Sequence, residues 1–530
     1  MTVADLVVGQ LLGAGVRTLF GVPGGGGNLD LIAAAGRAGL PFVLTSTETA
    51  GAIAAAAQAE VTGGTGACLT TLGPGAASVV NGVACAFLER TPMVVFTDRQ
   101  PGSSAAEHQR IDHAALMAPI TKRSDSLSPD GAMQVLVRAL HDATRGRPGP
   151  VHIDCPGDVA GAPLPMGFAD AFFSFEELMP LPEERARLEA LLAASRKPLV
   201  LVGLGARGPA DAAAIRALCA QRHVPAMVTY KAKGIVADAD PWFAGVFTNA
   251  AIEQPVIDES DLLIGIGLDP VELIPRPWTR RPPIVSCNPW RVEEAHVPFA
   301  AQFVSPVTDG VGLIERALPP SDWSARRVRE LVDDQRRQIG VPGGGFTAQR
   351  VVEVAAARLA AAGRVTVDAG AHMFPATTLW PVNEPRGMLI SNGLSTMGFA
   401  LPAAIGAALV DRDRPVVALT GDGGLLMCVG ELLTAVREKL RVITIVFSDA
   451  SLSLIEIKQQ ARRLEPAGVA LGAIDWVGLA RSLGAAAWMA ADDAALDRAI
   501  GEALECAGPS LIEARIDRSN YGATLRAIRG

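Results

Sequence analysis

The chain has 530 residues, enough for roughly two to four domains with well-buried cores. A net charge of −8 and a pI near 5.5 lack the basic character that nucleic-acid binding requires, so we expect no nucleic-acid partner. The seven cysteines are odd in number and contain no CxxC pair, which indicates reduced thiols and a cytoplasmic protein.

No membrane segment is expected either. Residues 61–88 carry no charge, but they are rich in glycine and contain Pro74, which favours a buried strand, turn and helix over a membrane span. The first fifteen residues include Asp5 and follow a helical period, so they do not resemble a signal peptide.

Apolar strand patterns alternate with helical patterns along three segments. This alternation predicts an α/β protein with three doubly wound parallel-sheet domains, covering 1–165, 186–320 and 345–530. The first and third segments are expected to share one architecture. Two linkers separate the segments: a stretch rich in proline and acidic residues at 161–184, and the glycine-rich VPGGGF at 341–346. The clearest strands of the first segment are 18–23, 42–47, 67–73, 93–98 and 151–156.

The first segment carries one carboxylate at the end of an apolar strand. Glu48 follows FVLTST and opens an alanine-rich helix, where an acidic residue commonly serves as a helix N-terminal charge. The next predicted strand leads into the turn Gly73-Pro74-Gly75. The residue types alone do not separate a catalytic role for Glu48 from a structural one.

The second segment begins with a glycine-rich loop. Gly203–Gly208 follows the strand PLVLV and fits the pattern GxGxxG. A dinucleotide site also needs an acidic residue at the end of the next strand, and that strand ends at Lys231. A nicotinamide-dependent oxidoreductase is therefore an alternative that the sequence disfavours.

The third segment holds the strongest functional signal. The strand VVALT runs into Gly421-Asp422-Gly423, and the strand VITIVF ends just before Asp449. The carboxyl ends of parallel strands form the ligand-binding edge of such sheets, and glycines before a helix let a phosphate approach the backbone N–H groups. Carboxylate oxygens are the ligands that Mg²⁺ prefers. We therefore predict a site for a metal and a diphosphate.

These motifs resemble the signature of thiamine diphosphate enzymes, in which a metal ligand follows the GDG aspartate by twenty-seven residues, as Asp449 follows Asp422. The aspartate at this second position is similar to that of catabolic acetolactate synthases. The resemblance implies a pyrimidine-binding, a central Rossmann-like and a diphosphate-binding domain, with thiamine diphosphate and Mg²⁺ as cofactors. It makes Asp422, Asp449 and the carbonyl of Ser451 the metal ligands.

The resemblance also assigns roles to other residues. Glu48 would bond the pyrimidine of the cofactor and favour the tautomer that removes the reactive proton. Met397 would hold the cofactor bent, His372 would contact the diphosphate, and Gln109 and His108 would lie near the substrate. The remaining cofactor-binding residues would be Gly73, Gly75, Ser395, Gly421, Gly423 and Gly424.

The implied activity is that of a carboligase or decarboxylase of small 2-oxo acids, similar to acetolactate synthase, acting as a homodimer at least and as an expected homotetramer. Three alternatives stay open: a 2-oxo acid decarboxylase without ligation, a lyase of 2-hydroxyacyl thioesters, and a non-catalytic cofactor-binding paralogue. FAD is left open but not favoured, because 268–278 departs from the arginine-rich motif that acetolactate synthases carry there.

Overall fold

A computed structural model describes residues 1–101, 108–164, 181–293, 296–340, 345–361 and 363–530. Parts of the two expected linkers, 165–180 and 341–344, lie outside the described residues. Within these ranges, no helix is long and apolar enough to cross a membrane.

The first domain is a six-stranded parallel sheet with helices on both faces. Its strands are β1 (Leu19–Val22), β2 (Phe42–Leu44), β3 (Gly66–Thr70), β4 (Met93–Arg99), β5 (Ser124–Ser126) and β6 (Pro150–Pro156), in the order β2-β1-β3-β4-β6-β5. Its helices are α1 (Val3–Gly13), α2 (Gly27–Ala38), α3 (Glu48–Thr62), α4 (Pro74–Ser78), α5 (Val80–Leu88), α6 (His113–Met117) and α7 (Ala132–Thr144). The predicted strand 42–47 is shorter than expected, because Thr47 already caps α3.

The middle domain is a second six-stranded sheet with a different strand order. Its strands are β7 (Pro198–Val202), β8 (Ala226–Val228), β9 (Phe243–Val246), β10 (Leu262–Ile266), β11 (Ile284–Asn288) and β12 (Phe299–Val304), and its helices are α8 (Pro182–Ala194), α9 (Pro209–Arg222), α10 (Gln254–Asp258), α11 (Val307–Ala317) and α12 (Ala325–Ile339). The order β12-β11-β10-β7-β8-β9 is that of a Rossmann fold.

The third domain repeats the strand order of the first. Its strands are β13 (Arg364–Val367), β14 (Met388–Ile390), β15 (Val416–Gly421), β16 (Val442–Ser448), β17 (Ala486–Ala490) and β18 (Ser510–Arg515), and its helices are α13 (Ala348–Leu359), α14 (Met373–Leu379), α15 (Ala400–Ala408), α16 (Asp422–Leu426), α17 (Glu431–Arg437), α18 (Ser453–Ala461), α19 (Trp476–Ser482), α20 (Asp493–Glu505) and α21 (Tyr521–Arg529). The order β14-β13-β15-β16-β18-β17 matches that of the first sheet strand for strand. Three parallel sheets flanked by helices confirm the predicted fold class.

Burial explains why the central strands form. Every residue of β3, β7 and β13 is buried, as are the first six residues of β16, so both faces of the sheets pack against helices. The alanine-rich helix α3 packs on α15 of the third domain, where a Cβ on Gly406 would lie against the backbone of Ala54. Small residues thus let the two helices approach closely, and this contact joins the first and third domains.

Candidate functional site

The carboxyl edge of the third sheet brings Asp422 and Asp449 together. Strand β15 ends at Gly421, which pairs in parallel register with Phe447 of β16, so the residues that follow the two strands are neighbours. The Asp422 carboxylate accepts hydrogen bonds from the backbone N–H groups of Asp449 (3.0 Å) and Ala450 (2.7 Å). The predicted pairing of the two motifs is therefore present in the fold.

The electrostatics of this carboxylate pair favour a cation. The Asp449 carboxylate accepts from the Ser451 N–H at 3.1 Å and from the Ser453 hydroxyl at 2.5 Å. Burial raises the pKa of Asp449 to about 6, and the nearby charge of Asp422 adds to the rise. Burial also raises the pKa of Asp422. A divalent cation between the two carboxylates would relieve both their mutual repulsion and their loss of hydration.

A cavity of about 310 Å³ opens at this edge. Its lining includes the sequence-predicted residues of the third domain: His372, Ser395, Met397, Gly421, Asp422, Gly423, Gly424, Asp449 and Ser451. Met397 is half-buried, and its Cε would be 3.3 Å from a Cβ placed on Gly423. All of the lining residues belong to 369–529, so one sheet edge and its flanking helices build the cavity.

His372 lies in the wall of this cavity with an unsatisfied nitrogen. The side chain is buried, and its ring stacks on Phe447 with the ring centroids 5.0 Å apart. Burial lowers the pKa of His372 to about 4, so the imidazole is neutral near pH 7. Its Nε2 has no hydrogen-bond partner among the described residues. A buried polar nitrogen without a partner, next to two carboxylates and a run of glycines, fits a diphosphate held with a divalent cation.

Asp368, which the sequence reading did not single out, organises the back of the site. Its fully buried carboxylate accepts hydrogen bonds from the N–H groups of Gly398 and Phe399 and from the Thr420 hydroxyl. It thereby ties the end of β13 to β15 and to the segment that follows Met397. Burial raises the pKa of Asp368 to about 6. Its position at the end of the strand VTV was the available signal.

Glu48 and the Gly73–Gly75 turn form a second set of residues, in the first domain. Helix α3 begins at Glu48, and the Thr47 hydroxyl caps it by accepting from the Ala50 N–H at 3.2 Å. A Cβ on Gly75 would lie 3.3 Å from Oε1 of Glu48, so turn and carboxylate face each other. Glu48 is half-buried, and its carboxylate has no hydrogen-bond partner in the part of the chain that the structure describes.

Glu431 of the third domain positions the start of α3. Its buried carboxylate accepts from the backbone N–H groups of Ser46 (3.0 Å) and Thr47 (3.1 Å), immediately before Glu48. This contact spans 384 residues of sequence. Nothing in the local sequence distinguishes Glu431 from an ordinary acidic residue in the first turn of a helix.

A buried network supports the Gly73–Gly75 turn from behind. The Gly73 N–H donates to Nε2 of His113 at 3.2 Å, while Nδ1 of His113 lies 2.7 Å from Oδ1 of Asp154. Because Nε2 accepts, the proton of the neutral ring is on Nδ1 and faces the carboxylate. The Thr97 hydroxyl donates to the same carboxylate oxygen at 2.7 Å. His113, Asp154 and the neighbouring His152 have the spacing of metal ligands, but hydrogen bonds already engage all three.

The two residues expected near the substrate differ in placement. Gln109 has a left-handed backbone conformation (φ 59°) and packs against Gly73, where a Cβ would meet the Gln109 carbonyl. It lines a cavity of about 420 Å³ whose lining residues all belong to 72–154. His108 is exposed. Gln109 is exposed as well, so what distinguishes it is its contact with Gly73 and its place in the lining of this cavity, on the Glu48 side of the site.

The glycine-rich loop of the middle domain is packed against the chain itself. The Leu204 N–H donates to the Glu272 carboxylate at 2.8 Å, and the Thr229 hydroxyl donates to its other oxygen at 2.5 Å. A Cβ on Gly203 would lie 2.5 Å from Cα of Leu268. Gly203 thus serves close packing within the domain, and a carboxylate of the chain occupies the Leu204 amide that could otherwise face a phosphate.

Comparisons with known proteins agree with this geometry. Residues 1–116 match the N-terminal TPP binding domain of thiamine pyrophosphate enzymes, 186–301 match the central domain, and 368–514 match the C-terminal TPP binding domain. Catabolic acetolactate synthase of Raoultella terrigena is 29% identical, over 97% of this chain and 95% of that protein.

Two further relatives represent different activities. Acetolactate synthase isozyme 2 large subunit of Escherichia coli is 30% identical, over 87% of this chain and 85% of that protein. The probable 2-ketoarginine decarboxylase AruI of Pseudomonas aeruginosa is 28% identical, over 97% of this chain and 94% of that protein. The three family domains occur in the expected order, and the relatives match over most of their length. The chain therefore belongs to the thiamine pyrophosphate enzymes and is an enzyme that makes or breaks carbon–carbon bonds.

Proposed function

We propose that the protein is a thiamine diphosphate- and Mg²⁺-dependent carboligase or decarboxylase of 2-oxo acids, with acetolactate synthase-like chemistry. The observation that carries this proposal is the cavity at the carboxyl edge of the third sheet. There Asp422 and Asp449 adjoin the unpartnered Nε2 of His372 and the half-buried Met397. Carboxylates for a cation and a neutral nitrogen for a phosphate thus share one pocket.

Each part of this cavity has a role in holding the cofactor. Asp422, Asp449 and the Ser451 carbonyl would ligate Mg²⁺, and the backbone at Gly421–Gly424 with His372 would bind the diphosphate. Met397 would support the bent shape of the cofactor. When bound, thiamine diphosphate supplies a nucleophilic carbon that adds to a carbonyl and accepts the electron pair of the bond that breaks.

Glu48 is the proposed catalytic acid. Its carboxylate has no hydrogen-bond partner in the described chain and faces the Gly73–Gly75 turn. Glu431 holds the backbone immediately before it, so the start of α3 is well positioned. Shared with a cofactor ring nitrogen, the Glu48 proton would set the tautomer of the ring.

A homodimer is the proposed minimum active unit, because Glu48 and the Asp422 cavity belong to different domains and all lining residues of that cavity belong to 369–529. Exposed apolar side chains occur at the end of α16, just after it, and in α17, which follow the cavity-lining Gly424 along the chain. Leu426 is 43% exposed, Met427 60% and Leu433 39%. A second copy that covered these residues is the proposed source of the Glu48 that completes the cavity.

FAD and nicotinamide cofactors are not part of the proposal. The Leu204 amide in the glycine-rich loop donates to Glu272, and Gly203 packs against Leu268. A dinucleotide would have to displace this carboxylate. Titration of the protein with NADH or FAD, followed by thermal unfolding, is expected to leave the melting temperature unchanged.

The first experiment is an incubation with thiamine diphosphate, Mg²⁺ and pyruvate, with and without aldehyde acceptors, followed by NMR. Acetolactate or another condensed product would establish ligation, whereas acetaldehyde alone would establish simple decarboxylation. If pyruvate is not consumed, the 2-oxo acid series and then 2-hydroxyacyl thioesters are the next substrates. Absence of thiamine diphosphate binding would contradict the proposal itself.

Glu48→Gln separates an enzyme from a non-catalytic cofactor-binding paralogue. We expect the variant to bind the cofactor and to lose turnover, and unchanged turnover would refute the role of Glu48. Co-expression of Glu48→Gln with Asp449→Ala tests the shared site. If each site is built from both subunits, the co-expressed population should show about a quarter of the wild-type activity. Half of the dimers are mixed, and each mixed dimer holds one intact site of its two.

A further inference from the structure

A second cavity adjoins the proposed cofactor cavity. It has a volume of about 480 Å³ and lies between the middle and third domains. The two cavities share four lining residues, namely Met373, Phe374, Ser395 and Arg529. The second cavity is therefore placed to receive a second substrate or the distal end of a longer one.

Arg529 stands at the junction of the two cavities. It is in the last turn of α21, and its guanidinium carbon lies 5.0 Å from the ring centroid of Phe374. Nη2 of Arg276, from the middle domain, donates to the Arg529 carbonyl at 3.1 Å. The Ile252 N–H donates to the Ile528 carbonyl at 3.2 Å. Contacts from two domains thus hold the residue in place.

The charge of Arg529 is unmatched. Its Nε is buried without a hydrogen-bond partner, and no carboxylate of the described chain forms an ion pair with it. Glu272 lines the same cavity, but its oxygens are engaged by Leu204 and Thr229, and burial raises its pKa to about 8. A half-buried cation without a counter-charge favours binding of an anion.

The chemistry of the reaction limits which anion this is. A carboxylate that leaves as CO₂ gives up its charge in the transition state, so pairing it with a guanidinium would stabilise the ground state more and slow the reaction. A carboxylate that the product retains has no such penalty. A guanidinium recognises it through paired N–H donors.

We propose that Arg529 binds a substrate carboxylate that survives the reaction, and so selects anionic substrates at the second cavity. This inference rests on the proposed function. The carboxylate has two sources: the acceptor 2-oxo acid in a ligation, or the second carboxylate of a dicarboxylic 2-oxo acid. Arg529 is therefore a binding residue that determines substrate specificity. The bonds that form and break lie in the first cavity, beside the cofactor.

The test compares wild type with Arg529→Gln, Arg529→Lys and the matched control Arg526→Gln, which removes an exposed charge from the same last turn of α21. Pyruvate serves as donor with either 2-oxobutyrate or neutral acetaldehyde as acceptor, and 2-oxoglutarate serves as a dicarboxylic donor. We expect Arg529→Gln to raise KM for a carboxylate-bearing substrate about 10- to 100-fold, and KM for acetaldehyde less than about twofold. Arg529→Lys should recover part of the loss.

The outcomes separate the sources. A defect with 2-oxobutyrate identifies the acceptor carboxylate, and a defect confined to 2-oxoglutarate identifies the distal carboxylate of the donor. Equal KM values in all four proteins, or an equal loss with acetaldehyde, would overturn the inference.

Binding supplies a readout that does not require turnover. Oxamate and glutarate are titrated calorimetrically into the protein loaded with thiamine diphosphate and Mg²⁺. Arg529→Gln should weaken the binding of at least one of them by about tenfold or more, relative to wild type and Arg526→Gln. Equal affinities in all proteins, including no binding by any, would refute the role of Arg529. If the wild type binds a carboxylate but turns over no 2-oxo acid, the proposed function fails while Arg529 keeps its role.

Discussion

Replacement of Gly424 by alanine should damage the cofactor cavity, although alanine is the better helix former. A Cβ at this position in α16 would lie 2.5 Å from Oδ2 of Asp368 and 3.0 Å from Oγ1 of Thr420. Asp368 is short and fully buried, so relief requires its carboxylate to move by about 0.9 Å to reach an ordinary contact distance of 3.4 Å. Such a shift would break its bonds to the Gly398 N–H and the Thr420 hydroxyl.

The magnitude follows from these two bonds. Each buried donor left without an acceptor costs about 1–3 kcal/mol, and helix propensity returns about 1 kcal/mol. We therefore expect Gly424→Ala to destabilise the third domain by about 1–5 kcal/mol, which corresponds to a fall in melting temperature of about 2–20 °C for a domain of this size. Affinity for thiamine diphosphate should fall as well, because the segment behind Met397 loses its anchor.

Calorimetric melting with and without the cofactor measures both effects. The matched control is Gly501→Ala in α20, where the new Cβ would meet only the tip of the flexible Arg358 side chain, at 3.4 Å. This change should stabilise the protein by up to about 1 kcal/mol. If Gly424→Ala melts and binds the cofactor as the wild type does, the anchoring role of Asp368 is wrong.

Three further changes give separate tests. In a metal titration, Asp449→Ala should weaken Mg²⁺-dependent cofactor binding by more than about 100-fold. Asp449→Asn keeps a ligand oxygen and should lose less affinity. Affinities equal to that of the wild type would contradict the ligand assignment. His113→Ala leaves the Gly73 N–H without its acceptor, so thermal melting should show a loss of about 1–3 kcal/mol, and an unchanged melting temperature would dismiss the network. The folded-state pKa of Glu272 is raised to about 8 from 4.5, so its stabilising contribution is complete below pH 4.5 and is lost as the pH rises towards 8. In melting experiments from pH 5.5 to 8, the free energy of unfolding of Glu272→Gln should therefore rise relative to that of the wild type by about 1.4 kcal/mol per pH unit. A difference that stays constant with pH would refute the raised pKa.

Local sequence signals account for much of the fold. The strands found correctly, such as β3, β4, β15 and β16, are apolar runs followed by glycine or acidic residues, and these are the central strands of their sheets. Three strands went unrecognised in the outer domains, namely β5, β14 and β17. All three are edge strands: β5 and β17 are only partly buried, which weakens their apolar pattern, whereas β14 is buried but only three residues long.

By itself, the sequence determined the three-domain α/β architecture and the residues that follow β15 and β16, because strand periodicity and turn chemistry act over a few residues. Asp422 and Asp449 could therefore be named before the fold was known, and the family resemblance added His372. Only the tertiary structure decided what supports them. The bonds from Glu431 to Ser46 and from Gly73 to His113 join residues far apart in the chain. The same is true of Arg529, whose unmatched charge becomes visible only where α21 meets the middle domain. Contacts of this kind depend on how sheets and helices pack, and no local pattern records them.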